Sequence, residues 1–188
     1  MQNDVLSTTS ASEVIDDLRF EPPLAVTGSG WALVSDRVMG GVSAGAMRRE
    51  EVAGRQAIRM TGGVSLENNG GFVQVAVDLG EAGVIVDASV WTGIRLDVFG
   101  NDQTYNLHLR TSDIVRPWES YRQSFLAPPE WTTVFLPFDR FVPHRTERLL
   151  NATRLRRLGI VAIGREFEAD VAIADIRFYA AADEPADV

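Results

Sequence analysis

The 188-residue chain has no cysteine, no lysine and only 2 histidines. Without cysteine there is no disulfide framework, zinc ribbon, iron–sulfur cluster or thiol nucleophile. Without lysine there is no Walker loop, whose Gly-Lys pair reaches the nucleotide phosphates. With two histidines, a His-rich metal site is excluded, and Ser-His chemistry would have to use His108 or His144. No window approaches the roughly 18 consecutive apolar residues of a membrane-spanning helix. Nor does the start of the sequence carry the basic and apolar regions of a signal peptide. Cations are scarce too, with 18 arginines against 26 acids and a net charge of −8. That balance argues against general nucleic-acid binding, which needs clustered cations for phosphates. The exclusive use of arginine reads as coding bias.

What is present is the composition of a globular chain, 45% hydrophobic and 23% charged. Hydrophobic residues alternate with a period of two, as half-buried strands require. Val73, Val75 and Val77 oppose Gln74 and Asp78. Ile94, Leu96 and Val98 alternate with Arg95 and Asp97, and Tyr105, Leu107 and Leu109 with Asn106, His108 and Arg110. Residues 132–136, 158–163 and 171–179 are further β-rich runs. Between them lie turn signals such as Gly62-Gly63, Asn69-Gly70-Gly71 and Pro128-Pro129. Helix is expected only as a turn or two at 14–20 and at 147–155. Many short strands predict an all-β sandwich or jelly roll. Residues 1–13 are expected to be a flexible N-terminal segment, 14–180 a single domain, and 181–188 an acidic flexible tail.

Several motifs carry chemistry elsewhere and are weighed here against plainer readings. Gly41-Val42-Ser43-Ala44-Gly45 matches the nucleophile elbow, but the strand-to-helix setting of that elbow is missing, so a hydrolase using Ser43 is set aside. Gly28-Ser29-Gly30 lacks the rest of a dinucleotide fingerprint. Asp36, Asp78, Asp87, Asp97 and Asp175 have no calcium-loop spacing. Neither a metal nor a cofactor is expected. Asn106, His108 and Arg110 share one strand face, with Trp118 and Tyr121 shortly after. Polar donors beside aromatic rings on a sheet face could grip a sugar or a peptide, against the plainer reading of a solvated sheet edge. Between Arg140 and Arg157 six arginines face one glutamate, a net +5 that leaves −13 on the remainder. Within this stretch Arg145, Arg148, Arg154, Arg156 and Arg157 are expected to form a docking patch for an acidic protein surface or lipid headgroups, or else to pair with the chain's own acids.

Residues 31–43 (Trp-Ala-Leu-Val-Ser-Asp-Arg-Val-Met-Gly-Gly-Val-Ser) resemble the signature of the complex I intermediate-associated protein 30 family. The blocks at 62–72, 93–101, 105–111, 131–138 and 173–179 follow in that family's order, so the resemblance spans about residues 14–180. It implies a galactose-binding-domain-like β-jelly roll, and a non-enzymatic assembly factor, chaperone-like toward protein subunits of a respiratory or photosynthetic complex. The family offers no catalytic residues to carry over. Of its signature residues, Trp31 and Met39 are expected to fill hydrophobic space. Gly40 and Gly41 are expected to allow a tight turn, and Asp36 and Ser43 to cap its amides. A direct binding role for this loop is the alternative.

The expected protein is therefore a bacterial, cytoplasmic assembly factor, with peripheral contact to the inner membrane through the arginine stretch. The rival expectation is a carbohydrate-binding module using Asn106, His108, Arg110, Trp118 and Tyr121.

Overall fold

The structure, a computed structural model, describes residues 7–186. Among them, in chain order, the strands begin with β1 (Thr8–Ser10), β2 (Val14–Asp16), β3 (Ala32–Ser35), β4 (Ala44–Val52), β5 (Arg55–Val64), β6 (Phe72–Asp78) and β7 (Ile85–Asp87). They continue with β8 (Gly93–Phe99), β9 (Gln103–Thr111), β10 (Ser120–Ala127), β11 (Thr132–Pro137), β12 (Val142–His144), β13 (Leu155–Ile163) and β14 (Phe167–Tyr179). Short 3-10 turns connect several of them, and no α-helix occurs among the described residues.

One sheet runs β3-β6-β13-β9-β10-β12, with β7 continuing the β6 edge of β13 and carrying β1 in parallel. The other runs β11-β8-β14-β5-β4, with β2 beside the far end of β14. Each sheet turns its apolar set inward, because one face of a strand must leave water for the sandwich to be stable. Val75, Ile160, Leu107 and Leu109 meet Met60, Ile94, Leu96 and Val171 in a single buried core. The alternation read from the sequence for β6, β8 and β9 is the alternation observed.

Two bulges shift this alternation. At Ile173/Asp175 the register slips, so Val171 and Ile173 face the core before the slip and Ile176 and Phe178 after it. At Leu155/Arg157 a similar slip leaves Leu155 and Leu158 inside and both Arg156 and Arg157 outside.

Three local expectations change. Val14–Asp16 is a strand rather than a helical turn, because it pairs with Ile176 and Arg177 of β14. The 147–155 stretch holds one 3-10 turn, Ala152–Arg154, capped by the Asn151 side chain. Thr8–Ser10, inside the segment expected to be flexible, pairs with Ile85–Asp87. The expectations for residues 1–6 and 187–188 lie outside the described residues.

The sheets are also tied by a polar bridge at their rim. The Tyr105 hydroxyl on β9 donates to Asn101 Oδ1 at 2.6 Å and accepts the Asp170 amide of β14 at 2.8 Å. Burial, the leading cause, pushes this phenol up to about 12, so it remains a neutral donor. Tyr105→Phe should keep the ring packing but orphan a β14 amide, lowering unfolding free energy by about 1–2 kcal/mol in chemical denaturation.

Candidate functional site

The signature loop is organised by one buried carboxylate. Asp36 opens a 3-10 turn (Asp36–Met39) whose N-cap is Ser35, and it is fully buried. Its Oδ1 accepts the Ser43 amide at 3.0 Å, while Oδ2 accepts the Gly71 and Phe72 amides and the Ser43 hydroxyl. The Ser43 hydroxyl also accepts the Ser65 amide at 2.9 Å. Burial opposes ionisation of Asp36, but the Ser43 hydroxyl and the Gly71, Ser43 and Phe72 amides outweigh it and hold the carboxyl below its ordinary range. Three chain segments, around 36–43, 65 and 71–72, thus meet on the hydrogen-bonded Asp36–Ser43 pair.

The glycines follow from this geometry. Gly40 sits at φ 88 as the turn's left-handed cap, and a Cβ on Gly41 would overlap the Asp36 carboxyl. Trp31 is buried and donates its indole N–H to Asp16 at 2.7 Å. Met39 does not fill hydrophobic space as expected. It is 53% exposed, beside the exposed Val38 and Val42, because the turn carries it out past the end of the sandwich. Ser43 is buried, hydrogen-bonded on both sides and followed by strand β4, which is no setting for a nucleophile.

The outer face of the larger sheet gathers a second set. Antiparallel register aligns Gly159, His108, Arg122 and Val142 in one row. The next row is Gln74, Val161, Asn106 and Ser124. Asn106, His108 and Arg110 share this face, as their alternation predicted. Tyr121 does not: its register partner is the core residue Leu109, and it is fully buried. Trp118 lies on the β9–β10 loop, half-exposed, and Arg110 is spent on holding that loop by donating to the Arg116 and Pro117 carbonyls.

Sequence reasoning missed Arg122, Ser124, Arg140 and His144 on this face. With Asn106, Gln123 and Val142, the first three line a groove of about 400 Å³. His144 stands 5.9 Å from His108, ring centre to ring centre. The missed signal was the alternation of Tyr121, Gln123 and Phe125, obscured because a polar residue occupies the middle inward position. His108 hydrogen-bonds Ser120 through Nδ1 at 3.2 Å, while its buried Nε2 has no partner among the described residues. Burial first, then His144 and Arg122, lower it to about 3, and burial followed by Arg122 and Arg145 lowers His144. Both rings are therefore neutral near pH 7.

The arginine stretch divides. Arg154 pairs with Asp113 at 2.8 Å and Arg157 with Asp78 at 2.7 Å. Arg145, Arg148 and Arg156 are exposed without an ion-pair partner among the described residues, and Leu149 between them is 79% exposed. Among the described residues no three His, Asp or Glu side chains converge as a metal site would need.

Comparison with known proteins bears on this arrangement. The family model described as complex I intermediate-associated protein 30 matches residues 19–172. A comparison with curated proteins returns no match. Among solved structures, the fold is similar to the family 11 carbohydrate-binding module of the cellulosomal cellulase Lic26A-Cel5E of Clostridium thermocellum. The TM-score is 0.70 at 14% identity, covering 92% of this chain and 97% of that one. The family 30 module of the Clostridium thermocellum cellulase Cel9D-Cel44B gives a TM-score of 0.56 at 13% identity, with 95% and 98% covered. An exo-β-agarase gives 0.57 at 11% identity, covering 94% of this chain and 26% of that one. The sandwich is thus a galactose-binding-like jelly roll.

Two outcomes follow for the buried groups. Asp36→Asn should turn an amide donor toward backbone donors and cost about 2–4 kcal/mol of unfolding free energy, measured by denaturant titration. His108 binds its proton less readily when folded than when unfolded. Its contribution is therefore present above its ordinary value of 6.5 and is lost as pH falls from there toward about 3. His108→Gln should flatten the loss of stability between pH 6.5 and 4 by about one proton's slope, read from denaturation at several pH values.

Proposed function

The chain belongs to the complex I intermediate-associated protein 30 family, and from that membership we propose that it is a non-enzymatic assembly factor for a membrane-bound electron-transfer complex. The family match across most of the domain carries this reading. The locked state of Ser43 and Asp36 supports a binding role over a hydrolytic one. The client is a protein subunit of a respiratory or photosynthetic complex, met on the cytoplasmic side and peripherally to the inner membrane. No helix among the described residues is long and apolar enough to cross a membrane.

Docking uses the free part of the arginine stretch. Arg145, Arg148 and Arg156 are exposed without ion-pair partners among the described residues, and the exposed Leu149 of the same stretch adds an apolar anchor to their long-range attraction. Arg154 and Arg157, engaged with Asp113 and Asp78, hold the strand in place.

A second reading, carbohydrate binding, draws support from the fold likeness to carbohydrate-binding modules. It would use the outer face around Asn106 and Ser124.

Crosslinking in the native cell, membrane solubilisation and identification of co-purifying chains tests the first reading. Subunits of an electron-transfer complex are expected, and their absence would refute it. Arg145→Glu, Arg148→Glu and Arg156→Glu together should reduce capture about tenfold or more. Undiminished capture would remove the patch from the docking surface.

A further inference from the structure

Arginines on the outer faces of the sandwich are paired with acids at several positions, Arg157 with Asp78 on the larger sheet among them. On the smaller sheet, Arg59 is clamped by Asp170 and Glu50, Arg55 meets Asp97, and Arg95 and Arg177 share Asp175. These guanidinium groups are neutralised within the fold. On the larger sheet, Arg122 and Arg140 line one groove with no ion-pair or hydrogen-bond partner among the described residues, and no acidic side chain lines it with them. Two like charges facing one concavity repel, and the neighbouring histidines add no counter-charge. Such an arrangement lowers its energy by taking up an anion.

The rest of the lining narrows the class of anion. Asn106 and Ser124 offer neutral donors and acceptors at the same opening. Guanidinium forks recognise planar carboxylate or tetrahedral phosphate oxygens, while amides and hydroxyls recognise alcohols. About 400 Å³ accommodates one or two sugar rings. The two strand rows that carry the site, Gly159-His108-Arg122-Val142 and Gln74-Val161-Asn106-Ser124, contain no Trp, Tyr or Phe on which a neutral sugar would stack.

We infer that the Arg122–Arg140 groove binds an anionic monosaccharide unit, a sugar acid or a sugar phosphate, through its oxyanion. Arg122 and Arg140 take the charged group, and Asn106 and Ser124 take the hydroxyls. This rests on the second reading above and specifies the charge of its ligand. It is separate from partner docking, because Arg145, Arg148 and Arg156 do not line the groove.

The test is NMR titration of the purified chain with D-galacturonate, D-galactose 6-phosphate, D-galactose and inorganic phosphate. At least one acidic sugar should bind saturably at millimolar concentration, at least tenfold tighter than galactose, weakening as salt is raised. Whichever acid binds, carboxylate or phosphate, identifies the oxyanion. Arg122→Gln with Arg140→Gln should abolish binding, and Arg140→Gln alone should weaken it several-fold with an unchanged thermal midpoint. Equal binding of galactose would overturn the inference while leaving carbohydrate recognition standing. Inorganic phosphate binding as tightly as the sugar phosphate would overturn the role of the sugar. Silence toward all four would overturn both the inference and the reading beneath it, and unchanged binding by the double variant would overturn the location.

Discussion

The Asp36 carboxylate is the constraint on which one end of the molecule depends. It answers the amides of Ser43, Gly71 and Phe72, the last 36 residues along the chain from it, and takes the Ser43 hydroxyl as well. A buried charge is tolerated only where its lone pairs are all met, and here backbone amides, which cannot swing away, meet most of them. The residues around it are then narrowly specified. Gly41 must lack a side chain, Gly40 must turn left-handed, and residue 43 must bring a small hydroxyl. The density of the signature motif thus has a mechanical cause.

The same device explains why apolar side chains can stand in water at the loop tip. Val38, Met39 and Val42 are held outward because the backbone beneath them is fixed by the carboxylate. A freely moving loop would fold them back against the sandwich. The local arrangement therefore separates a polar, rigid interior from an apolar exterior within eight residues.

Much of the architecture was legible in the sequence because alternation and burial are one fact in an antiparallel sheet. Val73-Val75-Val77 and Tyr105-Leu107-Leu109 point inward as their spacing requires. What could not be read depended on partners distant in sequence. Tyr121 faces the core because β10 registers it against Leu109, and Arg122 consequently falls beside His108. Val14–Asp16 is extended because β14 offers it hydrogen bonds, not because of its own propensity. The fate of the arginine stretch was likewise open. Whether Arg154 and Arg157 are free depends on Asp113 and Asp78, some 40 to 80 positions away.

The strands at the rims of both sheets have a further consequence. β4, at one rim, carries Arg48-Arg49-Glu50-Glu51, and β11 and β12, at two others, contain Pro137 and Pro143. Consecutive charges resist a strand laid alongside, and proline removes a donor that such a strand would need. Edge-to-edge pairing of extended backbone is thereby disfavoured at these three rims. A neighbouring chain is steered from these three rims toward the broad faces, the loop ends or the short rim at β3.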